Sequence, residues 1–277
     1  MKQTLPRLSH HKNNRMTPRL TIVKVGGKIV EQPELLDTLL REFAALDGPK
    51  ILVHGGGRTA TDTAARLGIS TRMINGRRVT DADMLRVVTM VYGGLVNKNV
   101  VACLQASGVN ALGLTGADMD IIRSHRRPPL TDGTDYGFVG DIDQVNAPQL
   151  TQLLQAAVTP VIAPLTHDGK GGLLNTNADT IAASVARAMA PHYRVTLTYC
   201  FEHAGVLANP SDEESVIPLI TPTTYRELKE REIVTGGMLP KIENALSAIQ
   251  AGVARVVITS PDALSENCGT SIEPDAE

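Results

Sequence analysis

Residues 50–68 read KILVHGGGRTATDTAARLG. The run 50–53, apolar after Lys50, predicts a strand. It stops at His54 and three glycines, Gly55, Gly56 and Gly57, and the segment 58–67 then turns helical and closes at Gly68. Strand, glycines and helix in direct succession collect bare backbone N–H groups at the positive end of a helix. An anion can approach there because no side chain blocks it. A second strand end repeats the device. The run 22–25 is apolar except for Lys24, and Gly26, Gly27 and Lys28 follow it. A cation at the end of a buried strand, next to glycines, points to anionic oxygens drawn close. One such turn could be an ordinary tight turn; two, one of them beside a lysine, predict a phosphate site.

Outward from these turns, short apolar runs alternate with amphipathic segments. The segment 33–46 has Leu35, Leu36, Leu39, Leu40 and Phe43 at helical spacing, with Pro33 near its start. Thr80 to Asp83 resembles a capping box opening a helical stretch to about residue 105. Strands are expected at 158–164, 194–200 and 254–260, and helices at 177–190, 224–232 and 236–252. The region 105–147, rich in Gly, Asp and Pro, is expected to hold hairpins and loops. Non-alternating apolar strands separated by helices predict an α/β protein with a largely parallel central sheet covered on both faces. Ligands then bind at the carboxyl ends of the strands.

Composition narrows the classes. The 277 residues are 42% hydrophobic with a net charge of −2, enough for a full core and against nucleic acid or a membrane surface as partner. No window is read as approaching the roughly 18 apolar residues of a membrane span. Cys103, Cys200 and Cys268, without CxxC spacing, predict isolated thiols in a reducing compartment and no metal site. Residues 1–19 carry Lys2, Arg7, Lys12, Arg15 and Arg19 and no acidic side chain. They are expected to form a basic flexible tail, with an oligomerisation or regulatory arm as the alternative and Met16 as a second candidate start.

Other motifs share these glycines. Gly55-x-Gly57-x-x-Ala60 fits a relaxed dinucleotide fingerprint, but that needs an acidic residue about 20 positions on, and 72–78 reads RMINGRR. His-Gly-Gly-Gly matches a lipase oxyanion string without its GxSxG partner. Three further groups are candidate ligands. Arg77 and Arg78 lie in a turn before a helix, suited to a carboxylate. Asn175, Asn177 and Asp179 gather at a helix N-terminus. Gly236 and Gly237 open a helix that presents Lys241 about one turn inside.

In order, Ile-Val-Lys24-Val-Gly26-Gly27, Val-His-Gly55-Gly-Gly57, Asn75-Gly-Arg-Arg78-Val-Thr-Asp81, Gly113-Leu-Thr-Gly-Ala-Asp118, Gly137-Phe-Val-Gly140, Asn175-Thr-Asn-Ala-Asp179 and Gly236-Gly-Met-Leu-Pro-Lys241 resemble the amino acid kinase family. Within it, they resemble the acetylglutamate kinases of arginine biosynthesis. The resemblance implies a three-layer αβα sandwich, with residues 20–190 as the acyl-amino-acid lobe and 191–277 as the nucleotide lobe. It implies ATP, with Mg2+ carried by the nucleotide, phosphorylating the side-chain carboxylate of N-acetyl-L-glutamate. It implies catalytic roles for Lys24, Lys241 and Asp179, with Asp179 keeping both lysines protonated. Gly56, Gly57, Arg78 and Asn175 would bind the acyl-amino acid, and Gly26, Gly27, Gly55, Gly236 and Gly237 the phosphates. A cytoplasmic homodimer or higher homo-oligomer is implied, with no nucleic-acid or membrane partner. The stretch 197–205, LTYCFEHAG, departs from the family's nucleotide loop. Tyr199 or Phe201 could stack on a base there or pack in the core. Two alternatives stand: the same chemistry on N-succinyl-L-glutamate, and a catalytically silent effector-binding protein.

Overall fold

Pro33 at the first helical position, Gly57 at the start of another helix and β-branched runs between them fix the first third of the fold. In chain order come β1 (Arg19–Val25), α1 (Gly27–Glu31), α2 (Pro33–Ala45), β2 (Lys50–His54), α3 (Gly57–Arg66), the two-residue strands β3 (Met73–Ile74) and β4 (Arg77–Arg78), and α4 (Ala82–Val88). A π-helical stretch, Thr89–Val96, joins α4 to α5 (Asn97–Ala106); then follow β5 (Ala111–Leu114), β6 (Ile122–Arg126), β7 (Gly140–Val145), α6 (Ala147–Gln155), β8 (Thr159–Ile162), β9 (Leu165–His167) and β10 (Leu173–Asn175). The last third holds α7 (Ala178–Met189), β11 (Arg194–Cys200), β12 (Leu219–Ile220), α8 (Pro222–Glu230), α9 (Met238–Gln250), β13 (Arg255–Thr259) and β14 (Thr270–Ile272). This computed structural model describes residues 17–74, 76–209, 211–234, 238–266 and 268–275.

Eight strands form one sheet in the order β12-β14-β13-β11-β1-β2-β8-β5. Every neighbouring pair in it is parallel except β13 and β14. The central strand β1 pairs over its whole length with β11, Lys24 opposite Tyr199, and on its other side with β2, Lys24 opposite Val53. The sheet runs unbroken through both expected lobes. A smaller sheet, β10-β9-β6-β7, and the hairpin β3–β4 flank it. The hairpin β6–β7 lies in the region read as hairpins and loops; the rest of the small sheet was not foreseen.

Side chains alternate along a strand, and the alternation places the site. Leu20 and Ile22 pack into the cluster that includes Ile181, Val185, Ala245 and Ile249, so this face of β1 is covered by α7 and α9. Lys24 shares that parity. Val23 and Val25 pack the other way, with Leu39, Phe43, Val100 and Leu104 from α2 and α5. Helices therefore cover both faces, as the αβα expectation required. Lys50, buried at the start of β2, donates to the Ala44 and Leu46 carbonyls at 2.8 Å each and so closes the end of α2.

Three expectations need correction. The strand β1 begins at Arg19, so the tail ends one residue earlier than 19; its first 16 residues lie outside the described residues. The cap of α4 is Asp81, whose carboxylate accepts the Met84 N–H at 2.8 Å; the Thr80 hydroxyl is buried and bonds the Arg78 carbonyl instead. By length and composition the continuous helical run 82–106 is apolar enough to cross a membrane. The run's apolar side chains have a core to fill: Met84, Val87, Val91, Val96, Val100 and Leu104 are packed inside the protein.

Candidate active site

The two glycine turns touch. A Cβ on Gly55 would lie 3.3 Å from the Gly27 nitrogen, and one on Gly27 would lie 3.8 Å from the Gly57 nitrogen. Neither α1 nor α3 has a side-chain cap at its N-terminal residue, Gly26 or Gly56. Their leading N–H groups thus face one shared space, which is what an anion needs. Gly56 has φ of 145°, and a Cβ there would press on Tyr92 at 3.2 Å and Val96 at 3.3 Å. Both neighbours come from the π-helical stretch, where the wider turn re-aims side chains at a functional site.

His54 supports this cradle from beneath. It is fully buried; its Nδ1 lies 2.7 Å from the Gly55 carbonyl and its Nε2 lies 3.1 Å from the Asn97 amide nitrogen. The arrangement fits a neutral ring donating from Nδ1 and accepting at Nε2. Burial, opposed by the Gly55 carbonyl and reinforced by Lys98, pushes its pKa down to about 4. Sequence reasoning read the histidine as part of a glycine motif and missed Asn97, which also donates to the Val161 carbonyl at 2.9 Å.

The two lysines and Asp179 converge. Lys24 Nζ lies 2.7 Å from Asp179 Oδ1, and the Lys24 chain is buried. The contact is an ion pair off the ideal hydrogen-bond direction, since that oxygen has no aligned donor. Asn177 caps α7, accepting the Asp179 N–H at 2.8 Å and the Thr180 N–H at 3.1 Å. Capping therefore accounts for Asn177 and leaves Asp179 for the lysine. The Lys241 ammonium is 4.0 Å and that of Lys24 5.2 Å from the centroid of the Phe201 ring. Burial lowers the Lys241 pKa, with Asp179 opposing and Lys24 reinforcing the change. Asp179 acts on Lys241 in the expected direction, favouring the charged form, but burial is the larger cause and the net change is downward.

On the acceptor side, Gly57, Arg78, Tyr92, Val139 and Asn175 line a cleft of about 160 Å³. Arg78, read as a free fork in a turn, is instead buried on β4 beside a hairpin tip at Gly76. Its Nη2 donates to the Gly57 carbonyl at 2.6 Å and to Thr61 Oγ1 at 2.9 Å, and its Nη1 to Thr71 Oγ1 at 3.2 Å; its Nε is buried without a partner. Asn175 donates its amide to Thr80 Oγ1 at 2.9 Å. Gly76, Arg77 and Asn177 also line an adjoining cleft of about 460 Å³ that reaches Asp179, Arg187, Tyr199 and Lys241.

The unusual 197–205 stretch divides its roles. Tyr199 is buried and lies parallel to Phe201, rings 6.1 Å apart and 9° from coplanar, so the tyrosine packs in the core rather than offering a face to a base. Glu202 reaches back to Lys28 at 2.8 Å. Beyond it, His203, Gly205, Val206, Leu207, Ile233, Val234 and Met238 enclose a mostly apolar pocket of about 150 Å³. Gly236 and Gly237, expected to bind phosphate, and Asn75 of the arginine motif lie outside the described residues.

A parallel sheet with two amines, one carboxylate and two glycine cradles at its carboxyl edge defines a phosphotransferase class. The chain belongs to the amino acid kinase family, whose model matches residues 19–260. It is 59% identical over 258 residues to an acetylglutamate kinase of Phocaeicola vulgatus, covering 93% of this chain and all of that one. It is 57% identical to the acetylglutamate kinase of Bacteroides thetaiotaomicron, with the same coverage. Among solved structures, N-acetylglutamate synthase from Neisseria gonorrhoeae, bound to coenzyme A and N-acetyl-glutamate, shares the fold with a TM-score of 0.77 at 23% identity. The match covers 94% of this chain and 60% of that one.

Proposed function

We propose that this chain is an ATP-dependent kinase of the side-chain carboxylate of N-acetyl-L-glutamate, acting in arginine biosynthesis. High identity to acetylglutamate kinases over nearly the whole of both chains supports the substrate. The single structural observation that carries the chemistry is the convergence of Lys24 and Lys241 on one spot beside the glycine cradles.

The acceptor carboxylate is ionised at neutral pH, with a reference pKa of about 4.3, so no general base is required. What the step requires is alignment and positive charge around the moving phosphoryl group. Lys24, fixed by Asp179, faces the transferring group, and Lys241 supports the nucleotide oxygens. The N–H groups of Gly27, Gly55, Gly56 and Gly57 donate to the phosphoryl oxygens; that of Gly26, expected among them, is taken by the Cys200 carbonyl at 3.2 Å. The Arg78 guanidinium, on the wall of the acceptor cleft, supplies the positive charge for the substrate's α-carboxylate, and the Asn175 amide oxygen accepts from the acylamino N–H. Magnesium arrives with ATP as part of the substrate. Residues 20–190 then serve the acceptor and 191–277 the nucleotide, whose base suits the apolar pocket at Val206, Leu207, Val234 and Met238. We place the enzyme in the cytoplasm as a homo-oligomer; three unpaired cysteines fit a reducing compartment.

The test is direct: MgATP, N-acetyl-L-glutamate and hydroxylamine should yield a hydroxamate, and no product with any N-acylglutamate refutes the assignment. The relatives do not favour the N-succinyl alternative; the side chain it would draw on is Arg77. Arg77 lines both clefts half-buried and, among the described residues, makes no ion pair. A kcat/KM higher for the succinyl substrate would select it.

A further inference from the structure

We propose that the Phe201 ring is a positioning surface that holds the ammonium groups of Lys24 and Lys241 at the transfer point without neutralising them. Its catalytic consequence rests on the kinase reading. Both amines face this one ring, at 5.2 and 4.0 Å from its centroid. An aromatic face attracts a cation through its quadrupole and carries no net charge. Lys24 already has Asp179; Lys241, among the described residues, has no carboxylate in contact. A carboxylate at position 201 would hold Lys241 more strongly and would have to be displaced by the incoming phosphate. A ring keeps the amine in place and leaves its charge for the nucleotide.

The ring is itself held on three sides. The Phe201 N–H donates to the Thr259 carbonyl at 2.9 Å, Tyr199 lies parallel to the ring, and the next residue, Glu202, is tied to Lys28 at 2.8 Å. Its edge abuts the first glycine turn, where a Cβ on Gly26 would come 3.9 Å from Phe201 Cδ1. Phe201 thus lies beside the cradle as well as near both amines. An aromatic placed to stack on the nucleotide base would have no reason to face two lysines.

The experiment replaces Phe201 site-specifically by phenylalanine bearing one, two and three ring fluorines, which changes volume little and weakens the face stepwise. The expected result is a stepwise fall in kcat reaching about tenfold, with KM for ATP held within about twofold. F201L should fall at least as far and F201Y should recover most of the rate. A flat kcat across the fluorine series overturns the inference, and so does a rise in KM for ATP at constant kcat, which would assign the ring to holding the bound nucleotide rather than to the transfer point. In protein with 13C-labelled lysine, two Cε–H resonances should lie upfield from the ring current and revert in F201L; their absence overturns the geometry. If the wild-type protein forms no acyl phosphate, the kinase reading fails. The lysine resonances then decide the ring's contact with the amines without turnover.

Discussion

His54 ties pH to the integrity of the phosphate cradle. The perturbation is acid. Its native pKa of about 4 lies below the ordinary 6.5, so the folded protein resists the proton that the unfolded chain accepts. The stabilisation is fully present above 6.5 and is lost as pH falls from there towards 4. For a single site with these two values the loss is about 2 kcal/mol at pH 5, growing to about 3 kcal/mol below pH 4. Carboxylates add their own slopes, so the assay compares urea unfolding of wild type and His54→Gln at pH 7 and pH 5. The variant starts lower, by about 1–3 kcal/mol for the buried hydrogen bonds it loses. Its further loss between the two pH values should be about 2 kcal/mol smaller than that of wild type. Equal losses would show that His54 is not buried neutral, and the account of the cradle's support would fail.

Further outcomes follow from the site. Lys24→Ala should lower kcat by about 10²–10³, as removal of a fixed transition-state charge contact does elsewhere, with little change in urea midpoint. Gly56→Ala should cost about 1–3 kcal/mol from its backbone conformation alone, and residual activity should fall further than stability because the cradle N–H groups move. Arg78→Lys should raise KM for the acyl-amino acid about 10–100-fold and leave KM for ATP unchanged, measured by varying each substrate in turn. Because the Lys241 pKa is lowered and its charge is the useful form, kcat should decline with rising pH below the ordinary lysine value of 10.5. Lys241→Arg should abolish that alkaline limb in whatever rate remains.

What was legible in the sequence was local. Strands β1, β2, β11 and β13 announced themselves as apolar runs; Lys24 and the glycines sat at the ends of the first two, and Asp179 and Lys241 followed in recognisable order near the starts of α7 and α9. What escaped was set by distant partners or by small changes of period. The strands β9 and β10, three residues each, are too short to show alternation. A π-helical stretch differs from an α-helix by one residue per turn of hydrogen bonding, so Thr89–Val96 read as ordinary helix. Thr80 and Asp81 are both good caps, and only the Asn175 amide, 95 residues away, shows why Thr80 is occupied elsewhere. The burial of Arg78 and the meeting of two lysines on Phe201 are contacts between elements far apart in the chain, invisible to any window.

The pairing of β1 with β11 has a consequence for how the enzyme comes into being. Lys24 is synthesised early, Lys241 late, and seven consecutive residues of β1 must find β11 before the two amines share one spot. A nascent or nicked polypeptide that has built only its first half carries the glycine cradles and one amine, without the second. On the proposed function, a chain without β11 and α9 would therefore hold the cradles and Lys24 but not the second amine, and would be expected to leave the nucleotide unused.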